Sequence, residues 1–473
     1  MTQQKTIAIV GGGITGLTAA YYVQQTINNK QLPYKVTLIE ASDRLGGKIH
    51  TMKQDDFIIE RGADSFLGRK QPAVRLAENL GIEDKLVRNT TGQAYVLVND
   101  TLHPMPKGSF MGIPIDLATF FETDLLTDRA KERIKQELVI PASNVEGDQT
   151  LGSFFRYRFG DELVENLIEP LIAGVYSSDL DDMSLLATFP NFLELEQEYG
   201  SLIKGLQATV GERKQRTGKT PGQFFTFNDG LETFIIHLQG AIKSNVDIVY
   251  NQVTSITQKG DQYKIQLKQG EQMHADVVMM TTPHHVMTDV FFANNAFAPL
   301  HDIPVKSVAN VALAFDAAAI DGELDGTGFV VSRNSPYRIT ACTWTHKKWQ
   351  HTTPEGKILL RAYVGKPSDQ EVVTLSDDAI IDIVLQDLEK TMGITKEPEF
   401  AKVTRWCEQM PQYTVGHKEK ISGVREEVAN SLPGVFMAGS SFDGVGIPDC
   451  IGQAEEMVEE AIDYLLGLNE SIS

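Results

Sequence analysis

The chain opens on an apolar run, Ile7-Ala8-Ile9-Val10, that halts at three glycines and then changes period. A short apolar run bounded by Gly11 predicts a buried strand, and residues 17–25 predict a helix. Val36-Thr37-Leu38-Ile39 gives a second strand that ends at Glu40, and Phe57–Glu60 gives a third. Between about 85 and 210 the pattern differs. Residues 129–138 and 151–172 carry helical spacing, with Leu163, Leu167 and Leu171 recurring every four positions, while Pro104, Pro106, Pro114 and Pro141 cut the region into short pieces. From 247 to 282 the pattern is β, with runs at 248–250, 253–257, 263–267 and 276–280. The last of these delivers the chain to Thr281-Thr282-Pro283. A second β-rich stretch covers 308–364, and Asp377–Met392 reads as an amphipathic helix. Near the end come a strand (434–439), a glycine-rich turn (440–449), and a helix whose Ala454, Met457, Val458, Ala461, Ile462 and Leu465 share one face. Residues 207–222 read as an exposed linker.

The first glycine cluster carries the chemistry. In Gly11-Gly12-Gly13-Ile14-Thr15-Gly16, Gly11 suits the tight turn, Gly13 the close approach of backbone to a pyrophosphate, and Gly16 close helix–strand packing. The N–H groups at the helix start favour an anion there. Glu40, closing the second strand, is placed to accept the hydroxyls of a ribose. A strand before the turn, a helix after it and an acid at the right distance together predict a bound dinucleotide. Gly46-Gly47 and the loop Gly62-Ala63-Asp64-Ser65 add further small-residue turns within the first seventy residues, and the C-terminal turn adds another. Such turns suit one large, extended ligand such as FAD better than a nicotinamide cofactor with its own second fingerprint.

Composition narrows the partners. The 473 residues carry 43 Lys plus Arg against 63 Asp plus Glu, a net charge of −20. That balance argues against nucleic acid and against whole-surface docking on anionic lipid, although a basic pocket can sit in an acidic protein. Cys342, Cys407 and Cys450 form no CxxC pair, no metal-ligand spacing is present, and the location expected is the cytoplasm. The uncharged stretch 6–29 is explained by the strand–turn–helix rather than by a membrane span. The apolar segment 110–115, with Phe120 and Phe121 after it, reads as core or channel lining first. Contact with a membrane or a partner protein is the alternative.

Further motifs bring in a family. Gly62-Ala63-Asp64-Ser65-Phe66-Leu67, Leu102-His103-Pro104-Met105-Pro106-Lys107-Gly108 and the run 160–171 look like porphyrinogen oxidases. So do Thr343-Trp344-Thr345-His346-Lys347-Lys348-Trp349 and Gly444-Val445-Gly446-Ile447-Pro448-Asp449. Over essentially its whole length the chain resembles the FAD-dependent amine oxidase and protoporphyrinogen oxidase superfamily, nearest its Gram-positive, coproporphyrin-pathway members. The resemblance implies an α/β fold with a Rossmann-like FAD-binding domain (1–60, 225–285 and 430–473), a β-rich substrate-binding domain (61–90 and 286–429) and a mainly helical insertion (91–210). It implies non-covalent FAD and oxidation of coproporphyrinogen III to coproporphyrin III in haem biosynthesis, with oxygen as acceptor and peroxide released. Protoporphyrinogen IX oxidation, amine oxidation and a non-catalytic redox module are the alternatives. Membrane or ferrochelatase contact would run through the helical insertion.

Carried over motif by motif, the FAD contacts implied are Gly11, Gly12, Gly13, Ile14, Thr15, Gly16, Glu40, Ala41, Lys48, Gly62, Ala63, Asp64, Ser65, Val253, Trp406, Val445, Gly446 and Ile447. Val253 can offer backbone to the adenine, and Trp406 is an aromatic wall or an ordinary core residue. A substrate with four propionates requires cations. The candidates are Arg69, Lys70, Arg333, Arg338, Lys347, Lys348 and Arg361, of which Lys70 is preferred because it follows a flavin-facing loop. Alternation puts Arg361 and Tyr363 on one face of a strand. The Tyr363 phenol could serve a pyrrole N–H or be a packing residue. His284, His285 and His346 are further candidate bases without an orienting partner.

Overall fold

Three distant stretches of chain build one parallel sheet. In the computed structural model, which describes residues 4–90, 92–211, 222–320 and 325–470, five parallel strands lie in the order Val246–Tyr250, Tyr34–Glu40, Lys5–Val10, Val277–Met280 and Val435–Met437. Ile7 and Ile9 point to one face, Ala8 and Val10 to the other, and all four are buried, as expected of a parallel sheet covered on both sides. On the first face, helices Ile14–Lys30, Gln71–Asn79, Glu232–Ile242 and Ile447–Glu470 contribute Leu17, Leu76, Phe234 and Ile451 to a common core. The second face is covered by an antiparallel sheet of Val253–Lys259, Gln262–Leu267 and Gln272–Ala275, together with helices His284–Val290 and His417–Ser431.

A second, seven-stranded sheet runs in the order Phe400–Pro411, Val305–Asp316, Lys357–Val364, Ile339–Trp344, Gly328–Val331, Ala94–Val98 and Thr101–Pro104. Helix Asp377–Met392 buries Ile380, Val384 and Leu388 against one face. On the other face Ala312, Ala314 and Leu359 meet Phe57 and Ile59 of the hairpin Thr51–Gln54/Phe57–Glu60, so the hairpin couples the two sheets. Two of these seven strands, Ala94–Val98 and Thr101–Pro104, lie in the stretch read as mainly helical. Their β-branched residues Val96 and Val98 pack onto the helical core, and their neighbour along the chain gave no turn-free alternation long enough to mark them.

The helical stretch expected over 151–172 runs in separate pieces. Helix Leu151–Phe159 stops at Gly160, whose φ of 83° ends the helical path. The chain then continues through Asp161–Leu163, a π-helical turn at Val164–Ile168 and helix Glu169–Tyr176. The wider turn brings Val164, Leu167 and Ile168 inward together, while Leu171 is only half-buried. Ile113 and Phe120 of the apolar patch are fully buried in this helical core, and Phe110, Met111, Ile115 and Phe121 pack half-buried against it. The core also encloses an ionic group with no exposed atoms. Arg158 donates to Glu137 Oε1 through Nε at 2.9 Å and to Glu196 Oε1 through Nη1 at 3.1 Å. Most of the linker expected at 207–222 lies outside the described residues. Among the described residues no helix is long and apolar enough to cross a membrane.

Candidate cofactor and substrate site

The three glycines of the first turn have different reasons to be glycine. Gly11 has φ 111°, and a Cβ there would come 2.8 Å from Thr281 Oγ1. At Gly16 a Cβ would fall 1.8 Å from the Gly11 carbonyl oxygen. Gly13, by contrast, would put its Cβ where no protein atom lies within 4 Å, directly ahead of helix Ile14–Lys30. Two glycines thus let the turn close and the third leaves its outer face open. Half-buried Ile14 and buried Thr15 begin the helix, whose first N–H groups face that opening. This arrangement fits a diphosphate.

Glu40 is held ready at the end of its strand. Gly12 N–H donates to Oε2 at 2.6 Å, and Ser42 donates to Oε1 through N–H at 2.8 Å and through Oγ at 2.7 Å. Oε2 therefore keeps a lone pair for a ribose hydroxyl. Ala41 follows on the surface. Gly46 N–H donates to the Gly12 carbonyl at 2.8 Å, which lays the Gly46-Gly47 turn alongside Gly13. Val253 opens its strand just after Asn251, whose N–H reaches the Glu40 carbonyl at 2.8 Å; the Val253 side chain itself is core.

A second group of loops meets at the junction of the two sheets. A Cβ on Gly62 would come 1.9 Å from the Lys48 carbonyl oxygen and 3.4 Å from the Trp406 ring. Side chains from three neighbouring strands hold the carbonyls here. Asn310 Nδ2 and Trp406 Nε1 donate to Arg61 O at 2.6 and 3.0 Å, and Arg361 Nη2 donates to Gly62 O at 2.7 Å. Ala63 is exposed, Ser65 Oγ donates to Asp64 Oδ1 at 2.6 Å, and Lys348 Nζ reaches Asp64 Oδ2 at 3.0 Å. Burial would raise the Asp64 carboxyl, but the Lys348 and Arg361 cations override it and hold the group well below the usual carboxylate range. Lys48 Nζ donates to Gln409 O at 2.5 Å and to Ser440 Oγ at 3.4 Å, and burial lowers its pKa. The Tyr413 hydroxyl donates to Ser440 O and accepts from Gly444 N–H, both at 2.9 Å, clamping the loop that leads into Val445-Gly446-Ile447. Helix Gln71–Asn79 packs on helix Ile447–Glu470, and Lys70 Nζ reaches the Asp449 carboxylate at 2.6 and 2.7 Å. The turn at Gly11, the Gly62 loop, Lys48, Trp406 and the Val445 turn are therefore contiguous.

The substrate candidates fare unequally. Arg361 and Tyr363 do share a face, with the guanidinium carbon 5.5 Å from the ring centroid, and burial pushes the Tyr363 phenol above its ordinary pKa. Arg361, a candidate propionate anchor, is 0% exposed, because its strand is central in the sheet and the hairpin and Gly62 loop cover that face. Its charge backs the Gly62–Ser65 loop. Arg333 is spent on Glu169, Asp179 and Asp181, Arg338 on Asp369, and Lys348 on Asp64. Lys70 is paired with Asp449, yet its side chain is 41% exposed. Arg69 is exposed, its guanidinium 5.9 Å from the Phe110 ring centroid. His284 is buried between Ser441 Oγ and Ile303 O, and burial lowers its pKa to about 4; His346 is bonded to Leu359 O. Both rings are held by these bonds. Asp449 closes the Gly444–Asp449 motif, whereas no local signal in the residues around Tyr413 marks it.

The family model for flavin containing amine oxidoreductases matches residues 14–462. The chain is 51% identical to a coproporphyrinogen III oxidase of Bacillus subtilis (strain 168), over 98% of this chain and 99% of that one. With a coproporphyrinogen III oxidase of Staphylococcus aureus (strain NCTC 8325 / PS 47) the identity is 44%, over 98% and 100%. A crystal structure of an Exiguobacterium sp. 255-15 protein assigned as a protoporphyrinogen oxidase superposes with a TM-score of 0.87 at 40% identity, covering 97% of this chain and 99% of that one.

Proposed function

Because the chain belongs to the flavin containing amine oxidoreductases, we propose that it binds FAD and oxidises coproporphyrinogen III to coproporphyrin III in haem biosynthesis. The observation that carries this reading is near-complete, mutual coverage at 51% and 44% identity with two coproporphyrinogen III oxidases. Bound FAD would supply the hydride acceptor, with oxygen as its oxidant and peroxide as the product. The protein's part is to hold and orient. The Gly11 to Gly16 turn with Ile14 and Thr15 takes the diphosphate, Glu40 and Ala41 the ribose, and Val253 the adenine side. Lys48, Gly62, Ala63, Asp64, Ser65, Trp406, Val445, Gly446 and Ile447 frame the ring system. The three-part division into FAD-binding, substrate-binding and helical regions is part of the same proposal. For contact with a membrane or a ferrochelatase, the apolar patch leaves only its half-buried rim at Phe110, Met111, Ile115 and Phe121.

Lys70 takes a propionate by exchanging Asp449 for the substrate carboxylate. Lys70→Glu is expected to raise KM for coproporphyrinogen III by about tenfold or more, the size of one charge-assisted hydrogen bond, with kcat changed far less. Steady-state porphyrin fluorescence checks this, and an unchanged KM removes Lys70 from the site. Tyr363→Phe tests the phenol. If the hydroxyl serves a pyrrole N–H in the reaction, kcat falls by about 10²-fold with flavin content intact; normal turnover makes Tyr363 a packing residue. The decisive assay compares kcat/KM for coproporphyrinogen III and protoporphyrinogen IX. A preference for the second would overturn the substrate assignment.

A further inference from the structure

A small cavity with both polar and apolar walls lies behind the Gly62–Ser65 loop. Glu60, Asp64, Thr345, His351 and Arg361 line it, with Ile58, Phe227 and Trp349 closing its apolar sides. Its volume, about 10 Å³, is close to what one water molecule needs.

Four polar atoms of these walls have no protein partner: Arg361 Nε and Nη1, Thr345 Oγ1 and His351 Nε2. Arg361 is 0% exposed and Thr345 3%. The Asp64 carboxylate stands 3.6 Å from Arg361 Nη1, an ionic contact but too long for a hydrogen bond. Unmatched charged donors in an interior are costly enough that native structures rarely keep them. Glu60 accepts from Thr51 Oγ1 and Leu231 N–H and has lone pairs to spare. Burial holds His351 below its ordinary pKa, so the ring is neutral at pH 7 and presents one N–H and one lone pair. The walls therefore offer donors from Arg361 and Thr345 and acceptors from Glu60 and His351. A water molecule, with two of each, is their complement.

We propose that this cavity binds one internal water between Arg361, Thr345 and His351, and that Arg361, oriented by that water, is a positioning residue for the Gly62–Ser65 loop. The guanidinium is planar and rigid, so fixing its Nε and Nη1 edge fixes the direction in which Nη2 meets the Gly62 carbonyl. Gly62 in turn lies against the Lys48 backbone and the Trp406 ring. The inference rests on the FAD reading only for its cofactor measurement.

Thr345→Val keeps the shape of the side chain and removes its hydroxyl, while Thr345→Ser keeps the hydroxyl. In crystals of the full-length protein, wild type and Thr345→Ser should show an ordered water within hydrogen-bond distance of Arg361 and His351, and Thr345→Val should not. In solution Thr345→Val should weaken FAD binding by about fivefold and alter the flavin absorbance, with Thr345→Ser restoring both. Wild-type crystals with no water in the cavity would overturn the site. Unchanged FAD affinity and spectrum in Thr345→Val would overturn the positioning role. A wild-type protein that binds no flavin would strike the FAD reading instead, and the crystallographic result would still stand.

Discussion

Gly13→Ala is expected to give a folded but nearly colourless protein. The backbone at Gly13 is extended, φ −73° and ψ −176°, which any L-residue adopts. The added methyl would meet no protein atom within 4 Å, so the fold has no reason to object. The methyl would, however, occupy the space through which a diphosphate reaches the N–H groups of helix Ile14–Lys30. Pushing the phosphates off those donors should raise the FAD Kd by about 100-fold, roughly 2.7 kcal/mol. Flavin content after gel filtration and a fluorescence titration measure it, with circular dichroism as the control on folding. Gly16→Ala provides the contrast, since its Cβ would sit 1.8 Å from the Gly11 carbonyl oxygen and the turn itself must open. That variant should lose thermal stability as well as flavin. Wild-type affinity in Gly13→Ala would mean that the diphosphate lies elsewhere.

Arg158→Leu should be the most damaging single change to stability, by about 3–5 kcal/mol, because it strands two buried carboxylates. Glu137 and Glu196 are both fully buried, and Arg158 is the cation between them. Further donors help to carry the surplus negative charge. Ser201 Oγ and Leu202 N–H serve Glu137 at 2.5 and 2.7 Å, while Ser143 N–H and Oγ serve Glu196 at 2.8 and 2.7 Å. These donors explain why two acids tolerate one arginine, and they also forbid simple replacement of the acids by leucine. Glu137→Gln and Glu196→Gln keep an acceptor for each while removing the charge. Added to Arg158→Leu, they should recover about 2 kcal/mol in urea denaturation. A single Arg158→Leu as stable as wild type would show that the group contributes nothing net.

The cofactor half was readable because its signals are local. Gly11, Gly13, Gly16 and Glu40 lie within one strand–turn–helix–strand, where spacing alone implies geometry, and the family motif extended that reading to Gly62 and Val445. The substrate half was less readable because charge pairing is a long-range property. Lys70 and Asp449 are 379 positions apart, and Lys348 and Asp64 are 284. A list of cations therefore could not say which were already neutralised. Arg361 shows the same limit in burial. Strand alternation placed it correctly beside Tyr363, but only the order of strands in the sheet decides that the covered face is the one it occupies. The break at Gly160 had a visible cause in the sequence, yet the π-turn after it has no residue signature, since any apolar run can widen its turn.

The parallel sheet also sets a timetable for biosynthesis. Of the elements of this sheet layer, the middle strand Lys5–Val10 leaves the ribosome before the others, while the edge strand Val435–Met437 and the helix Ile447–Glu470 that shelters it follow after all of them. At 5–20 residues per second, roughly 20–90 s separate the two. During that interval the strands carrying Ile7, Ile9 and Leu38 wait without their final cover, a stage at which a nascent chain is vulnerable to mispairing. Flavin capture must then await the Val445 turn and helix Ile447–Glu470, and a chain that stopped before Gly444 would have its nucleotide fingerprint and could not close over the cofactor.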